Sequence, residues 1–448
     1  MIESRTKEKF ACTKCNGEEI EFPGFNNKKV EGNFRGGEVT SDGGLMLLAE
    51  MDRRLGLTKK LSRALKDPRN PDMIKHQQVD LIRQRIYGIA LGYEDLNDHD
   101  SLRKDLVWQT AMEGEEALAS SPTLCRLEAR SDRASAWKMH RIIVEQFIAS
   151  FKQTPEELIL DFDATDDRVH GHQEKRAYHG YYRDWCFLPL YVFCGEQLLV
   201  SYLRPSKIDG ALHTWAILKL LAKRLREAFP SVRMILRADS AFCRWKMLRW
   251  CEKNNIQYIV GLPKNNRLIK LIQKPLTRAI RKYKIRQTKQ RHFGSIQYAA
   301  SAWDKKRRVI YKAEVTDKGV NPRFLLTNLK GDSQSLYDKV YCARGEMENR
   351  IKEQQLGLFA DRTSCTKWWP NQFRLLLSSA AYILIAAIRR IALKGTKLAH
   401  AQVDTIRLKL FKIGTVIIRN TRRIRLFFSS AYPYRQLFLC VLAAINSS

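Results

Sequence analysis

The stretch Leu158-Ile159-Leu160-Asp161-Phe162-Asp163-Ala164-Thr165-Asp166-Asp167 carries the reading of the fold. An apolar run that passes into alternating acid, aromatic and acid predicts a short strand ending in a polar loop. Side chains alternate along a strand, so Asp161 and Asp163 share one face and Phe162 takes the other. Asp163 sits at the strand end and is preferred to Asp161 as a candidate for chemistry, while Asp166 and Asp167 read as loop residues. Outward from this strand, residues 187–193 and 197–203 read as a strand pair turning at Cys194-Gly195-Glu196. A helix over 211–229, stopped by Pro230, leads into a strand over 232–239. A second helix over 242–254 is followed by an apolar strand over 256–261.

The order is thus three strands, helix, strand, helix, strand. Hairpin strands first and βα alternation afterwards indicate a mixed sheet with helices packed on it. The expected fold class is α/β, with a ribonuclease-H-like mixed-sheet core over residues 151–262. Residues 263–335 break the alternation and read as a basic, β-containing insertion before the next helix. Upstream, 1–30 reads as a flexible lead-in and 31–150 as a helical N-terminal, DNA-binding domain. Asp42 is a candidate cap for a helix with the stripe Leu45, Leu48, Met51 and Leu55, and Gly92 a stop for one with Val79, Ile82, Ile86 and Ile89. Residues 336–448 are expected to carry a core helix with Glu348 and a helical, basic C-terminal region.

Two more acids join Asp163. Asp239 follows the apolar run Met234-Ile235-Leu236 at the edge of a core, where a carboxylate must be paired, hydrogen-bonded or metal-bound. Capping of the next helical turn is its alternative role. Glu348 lies on a helix whose 3.6-residue period brings Tyr341, Arg344 and Lys352 to the same face, with Glu346 pointing elsewhere. Oxygen ligands suit hard divalent cations, and a pair of such ions can clamp both oxygens of an in-line displacement. The pattern therefore points to a two-metal phosphodiester chemistry using Mg²⁺, with Mn²⁺ as a substitute. His170 and His172, two apart in a Gly-containing loop with His179 nearby, are weak evidence for a zinc or iron site and suit contact with the substrate or scissile phosphate better.

The chain holds 448 residues, 44% hydrophobic, so a sizeable core is available; Lys+Arg 79 against Asp+Glu 47 leaves +32. Such an excess favours phosphate contacts and counterion release. Between Leu276 and Arg291 fall seven basic residues and no acid, including Arg281, Lys282, Lys284 and Arg286, with Tyr283 among them. No acid follows Asp404, whereas Arg422 and Arg423 stand among many basic residues there. Double-stranded DNA is the expected partner of both stretches, with a solvated basic face as the plainer alternative. The ten cysteines are scattered, and Cys12-x-x-Cys15 lacks the two further ligands a zinc knuckle needs. The opening MIESRTKEKF has no signal-peptide core, so a reduced, intracellular setting is expected. The apolar run 375–388 reads as a buried helix too short to span a bilayer, and no membrane partner is expected.

Together these motifs resemble DDE-type transposases of bacterial insertion sequences, most closely the insertion-sequence-1380 family, related to the insertion-sequence-4 group. The resemblance rests on VTSDGGLMLLAEMDRRLGL, QVDLIRQRIYGIALGYEDLNDHDSLRKD, LDFDATDDRVHGHQE, RADSAFCR, YCARGEMENRIKE and VDTIRLKLFKIG, spread from residue 39 to 414. It implies catalytic, metal-binding roles for Asp163, Asp239 and Glu348 with two ions, and DNA contacts for Tyr341 and Arg344. The related signature ends in a Lys that would fall at Gln355, so Lys352, one turn from Glu348, is the candidate substitute. The implied activity is binding of the element's terminal inverted repeats, cleavage, and transfer to target DNA. A dimer on DNA and a bacterial cytoplasmic, nucleoid-associated location are implied as well. A nuclease or resolvase on the same fold, or an inactive DNA-binding descendant, stays open at this stage.

Overall fold

The computed structural model describes residues 19–447. Eight strands of its main sheet follow in chain order. They are β1 (Glu157–Ala164), β2 (Leu190–Cys194), β3 (Gln197–Tyr202), β4 (Arg233–Ala238), β5 (Ile256–Leu262), β6 (Gln290–Tyr298), β7 (Arg307–Thr316) and β8 (Arg323–Thr327). The spatial order is β6-β7-β8-β5-β4-β1-β2-β3, with the two-residue strand Gly319–Val320 added to β7. β2 runs antiparallel to β1 and to β3, whereas β4 lies parallel to both β1 and β5. Strand order 3-2-1-4-5 with an antiparallel second strand is the ribonuclease-H-like arrangement, as the alternation of elements leads one to expect.

The alternation along β1 separates two environments. Leu158, Leu160 and Phe162 enter a core with the helices Thr214–Ala228 and Trp245–Lys253 on one side of the sheet. Ile159 faces the other side, where Ile235, Ile259, Ile310 and Leu325 pack against Leu336 and Tyr337 of the segment leading to Glu348. Asp161 and Asp163 point to that second side.

Residues 263–335 do not stand apart as an insertion. β8 pairs antiparallel with β5 (Ile259 opposite Thr327) and β7 with β8, so these strands continue the core sheet. The free hydrogen-bonding edge of β5 explains this, since an unpaired edge demands a partner. The expected N-terminal helices form, including Leu45–Leu55 and Gln78–Leu91, the latter ending at Gly92 with φ 94. Asp42, however, does not cap the first of them, whose N-cap is Gly44. Its buried carboxylate instead accepts from Tyr93 Oη (2.8 Å), Trp108 Nε1 (2.9 Å) and Lys412 Nζ (2.8 Å).

The C-terminal region is not wholly helical. The strands Thr415–Arg419 and Ile424–Phe428 form a hairpin that pairs with Val39–Thr40. The β-branched run Thr415-Val416-Ile417-Ile418 supplies the propensity that a helical reading overlooked. The apolar helix is also longer than expected, Trp368–Ala392, and so has the length and composition to cross a membrane. It packs as a core element, with 78% of its most apolar window buried inside the protein. Part of the expected lead-in is ordered as the antiparallel strands Ile20–Phe25 and Lys28–Gly32. Residues 1–18, with Cys12 and Cys15, lie outside the described residues.

Candidate active site

The register of the sheet brings the first two acids together. Arg237 stands opposite Asp161 and Ala238 opposite Phe162, so one further step sets Asp239 beside Asp163 at the C-terminal ends of two parallel strands. Adjacent strands lie about 4.8 Å apart. Asp239 accepts from Ala241 N (2.9 Å) through one carboxylate oxygen. It thus performs the capping role and still borders the site.

The third acid arrives on an irregular helix. The chain runs as a π-helix over Leu336–Tyr341, a 3₁₀ turn over Cys342–Arg344 and an α-helix over Gly345–Lys352. The uniform 3.6-residue face drawn from the sequence therefore breaks before Gly345, and such π segments concentrate at functional sites. Arg344 and Glu348, one α-turn apart, stay together: Arg344 Nη2 donates to Glu348 Oε1 at 2.7 Å. Its Nη1 donates to Asp163 Oδ2 at 2.8 Å, so one guanidinium joins acids from the sheet and from the helix. Burial, reinforced by Asp239 and Glu348 and opposed by Arg344, pushes the Asp163 carboxyl up to about 6. Among the described residues, no group of three or more His, Cys, Asp or Glu side chains is gathered closely enough to hold a metal.

Asp161 serves a different purpose. It is buried and accepts from Arg237 through both oxygens, with Nη2 to Oδ2 at 2.7 Å. Arg237 Nη1 in turn donates to the Val340 carbonyl (2.6 Å), clamping the irregular helix to the sheet.

Residues 22–448 match the family described as Transposase DDE domain group 1. The chain belongs to this family. Among matching solved structures is the cryo-EM structure of a piggyBac transposase synaptic complex with hairpin DNA. It shares 11% identity with a TM-score of 0.43, covering 83% of this chain and 79% of that one. No curated protein matches.

The remaining candidates of the transposase fall in several places. Tyr341 packs on Tyr337 and places its hydroxyl by Gly261, where a Cβ would stand 3.0 Å from Tyr341 Oη and 2.7 Å from Ser240 N. Lys352 is exposed on the helix surface. Gln355 donates to the Asp166 carbonyl (2.9 Å), bracing the loop after Asp163. Glu346 pairs with Arg350 (3.6 Å), away from the acids. Arg281, Lys282, Lys284 and Arg286 are exposed on the helix Gln273–Arg286. Two other members of that basic stretch are paired, Lys289 with Glu314 (3.1 Å) and Arg291 with Asp338 (3.1 Å). Arg422 and Arg423 sit at the hairpin turn, where their backbone N–H groups donate to Asn420 Oδ1. Several other basic residues are not free: Arg85 is buried on Glu128 (3.0 Å) and Lys412 on Asp42.

Two neighbours of the site escaped the sequence reading. Tyr182, in the loop between Ala177–His179 and Asp184–Phe187, has its hydroxyl pushed up to about 12 by burial and then by Asp166 and Asp163. Gly261 matters through the side chain it lacks, which lets Tyr341 and the Asp239-Ser240 backbone close on β5. A strand glycine often marks such a close approach, which was the available signal. In the histidine loop, Arg176 bonds His172 Nδ1 (2.8 Å) and stacks over Trp185, while His179 packs on Tyr182.

Proposed function

We propose that this transposase binds the terminal inverted repeats of an insertion sequence of the insertion-sequence-1380 type. It hydrolyses a phosphodiester at each end and directs the freed 3′-hydroxyl at target DNA. The observation that carries the reading is that Arg344 joins Asp163 of the sheet to Glu348 of the helix, while the register sets Asp239 beside Asp163 at the neighbouring strand end. The donor set is all carboxylate oxygen, which fits Mg²⁺ or Mn²⁺ and not a soft metal. Asp163, Asp239 and Glu348 would hold two such ions, whose chemistry is activation of the attacking oxygen and stabilisation of the leaving one.

The protein's own groups do the rest. Arg344 offers a planar fork suited to a phosphate oxygen pair. Tyr341, its hydroxyl beside Gly261 of β5, positions the DNA backbone, and exposed Lys352 adds a point charge one turn from Glu348. The helix Gln273–Arg286 and the hairpin turn at Arg422 and Arg423 provide positive tracks for the flanking duplex. Two ends must be synapsed, so a dimer on DNA is the working assembly.

The test is incubation of the purified protein with labelled element-end DNA and Mg²⁺, beside Asp239→Asn and Glu348→Gln. The expected result is cutting at the element end and joined strand-transfer product, both abolished in the variants while DNA binding persists. Cutting by Asp239→Asn refutes the proposed site. Cut ends without joined product would instead mark a nuclease on this fold.

A further inference from the structure

Arg344 occupies the place where positive charge is needed if Asp163 and Glu348 are to approach each other. Each terminal nitrogen takes one acid, at 2.8 and 2.7 Å. The Arg344 side chain is 16% exposed and that of Asp163 15%, so this pair is balanced locally and not by water, whereas Glu348 is 49% exposed and its pair with Arg344 is partly screened. The oxygens engaged, Asp163 Oδ2 and Glu348 Oε1, are among those a divalent ion would need. A cation entering there meets a guanidinium of like sign on the same ligands. Holding both is unfavourable above all on the buried Asp163 side, because like charges at this range repel strongly outside bulk water. Arg344 therefore has to leave when an ion enters. A DNA phosphate offers its fork a replacement partner of the same geometry.

We infer that Arg344 is a gate for the metal site, a positioning residue that neutralises Asp163 and Glu348 while DNA is absent. A DNA phosphate withdraws it and opens the carboxylates to divalent ions. The inference rests on the two-metal reading proposed above. It makes DNA and metal binding positively coupled, and such coupling is reciprocal. The free protein is thereby kept from assembling a loaded hydrolytic centre without its substrate.

The experiment measures Mn²⁺ binding to the full chain by the electron paramagnetic resonance of free Mn²⁺, with and without a linear DNA duplex. It compares the unmodified protein, Arg344→Ala, Arg344→Lys and Asp239→Asn, each with its fold checked by circular dichroism. Without DNA, Arg344→Ala is expected to bind Mn²⁺ about tenfold tighter or more than the unmodified protein, within the usual range of coupling. DNA raises the affinity of the unmodified protein by a similar factor and that of Arg344→Ala little. Arg344→Lys, a point charge in place of a fork, falls between. A purely structural clip would leave Mn²⁺ affinity unchanged or lowered in Arg344→Ala. That result, with Asp239→Asn losing the metal, overturns the gate and leaves the two-metal reading standing. Undiminished Mn²⁺ binding by Asp239→Asn, or none by any protein with DNA present, overturns both.

Discussion

Asp161 accepts both arms of Arg237, while Asp163, two residues on, shares Arg344 with Glu348. Removing Asp161 strands a buried guanidinium. Asp161→Ala should cost about 3–5 kcal/mol, read as a lower denaturation midpoint. Asp167 makes a second residue-scale prediction. It is 1% exposed, accepts from Thr363 Oγ1 (3.2 Å) and has no partner for its other oxygen among the described residues. Burial, then Asp361 and Asp166, raises its carboxyl well above the ordinary range. The folded protein therefore keeps a proton that the unfolded chain releases near pH 4. Its stability contribution is full below that pH and falls as pH rises, until the folded value is passed. Asp167→Asn should flatten this decline, gaining on the parent by at most about 1.4 kcal/mol per pH unit. Urea midpoints across a pH series would check it.

At the scale of elements, the helix Gln273–Arg286 packs Ala279 inward and leaves Arg281, Lys282, Lys284 and Arg286 in water. If these lie along DNA, reversing all four to Glu weakens binding to any duplex sequence. The log–log salt slope should shrink by about 0.9 for each phosphate that is no longer neutralised. Anisotropy titrations over a salt series measure both quantities, and an unchanged slope would take this helix out of the interface. The helix bearing Glu348 is anchored independently, because Glu353 beyond it is buried against Arg389 of the helix Trp368–Ala392. Glu353 also accepts from Val403 N (2.6 Å). The acid at position 348 is thus carried on an element held at both ends, by Arg237 on Val340 and by this pair.

Across the whole molecule, residues 31–150 and 336–448 are not independent bodies. Leu45, Ile86, Trp108, Leu376, Ile385, Leu410 and Val441 belong to one buried core that also takes in Tyr191 and Phe193 of β2. Ion pairs cross the same seam, Arg374 with Glu128 (3.2 Å), both buried, and half-buried Lys412 with buried Asp42 (2.8 Å). A fragment of residues 31–150 would expose the apolar face that the helix Trp368–Ala392 covers. Expressed alone, it should lack fixed tertiary packing, seen as strong dye binding and rapid proteolysis with no near-ultraviolet dichroism. A cooperative melt of that fragment would contradict the shared core.

By itself the sequence determined the succession of strands and helices that follows LILDFDATDD, the termini at which Asp163 and Asp239 sit, and the helix carrying Glu348. These are local properties, set by period-two and period-3.6 patterns and by breakers such as Pro230 and Gly92. Only the tertiary structure decided which arginine each acid meets, since Asp161 meets Arg237 from a strand 76 positions away. It also decided that 290–327 extends the sheet and that 415–428 folds as a hairpin, because strand pairing depends on partners distant in the chain. Arg344 likewise reads from the sequence as a neighbour of Glu348. Its second bond, to Asp163, exists because the sheet and the irregular helix meet there.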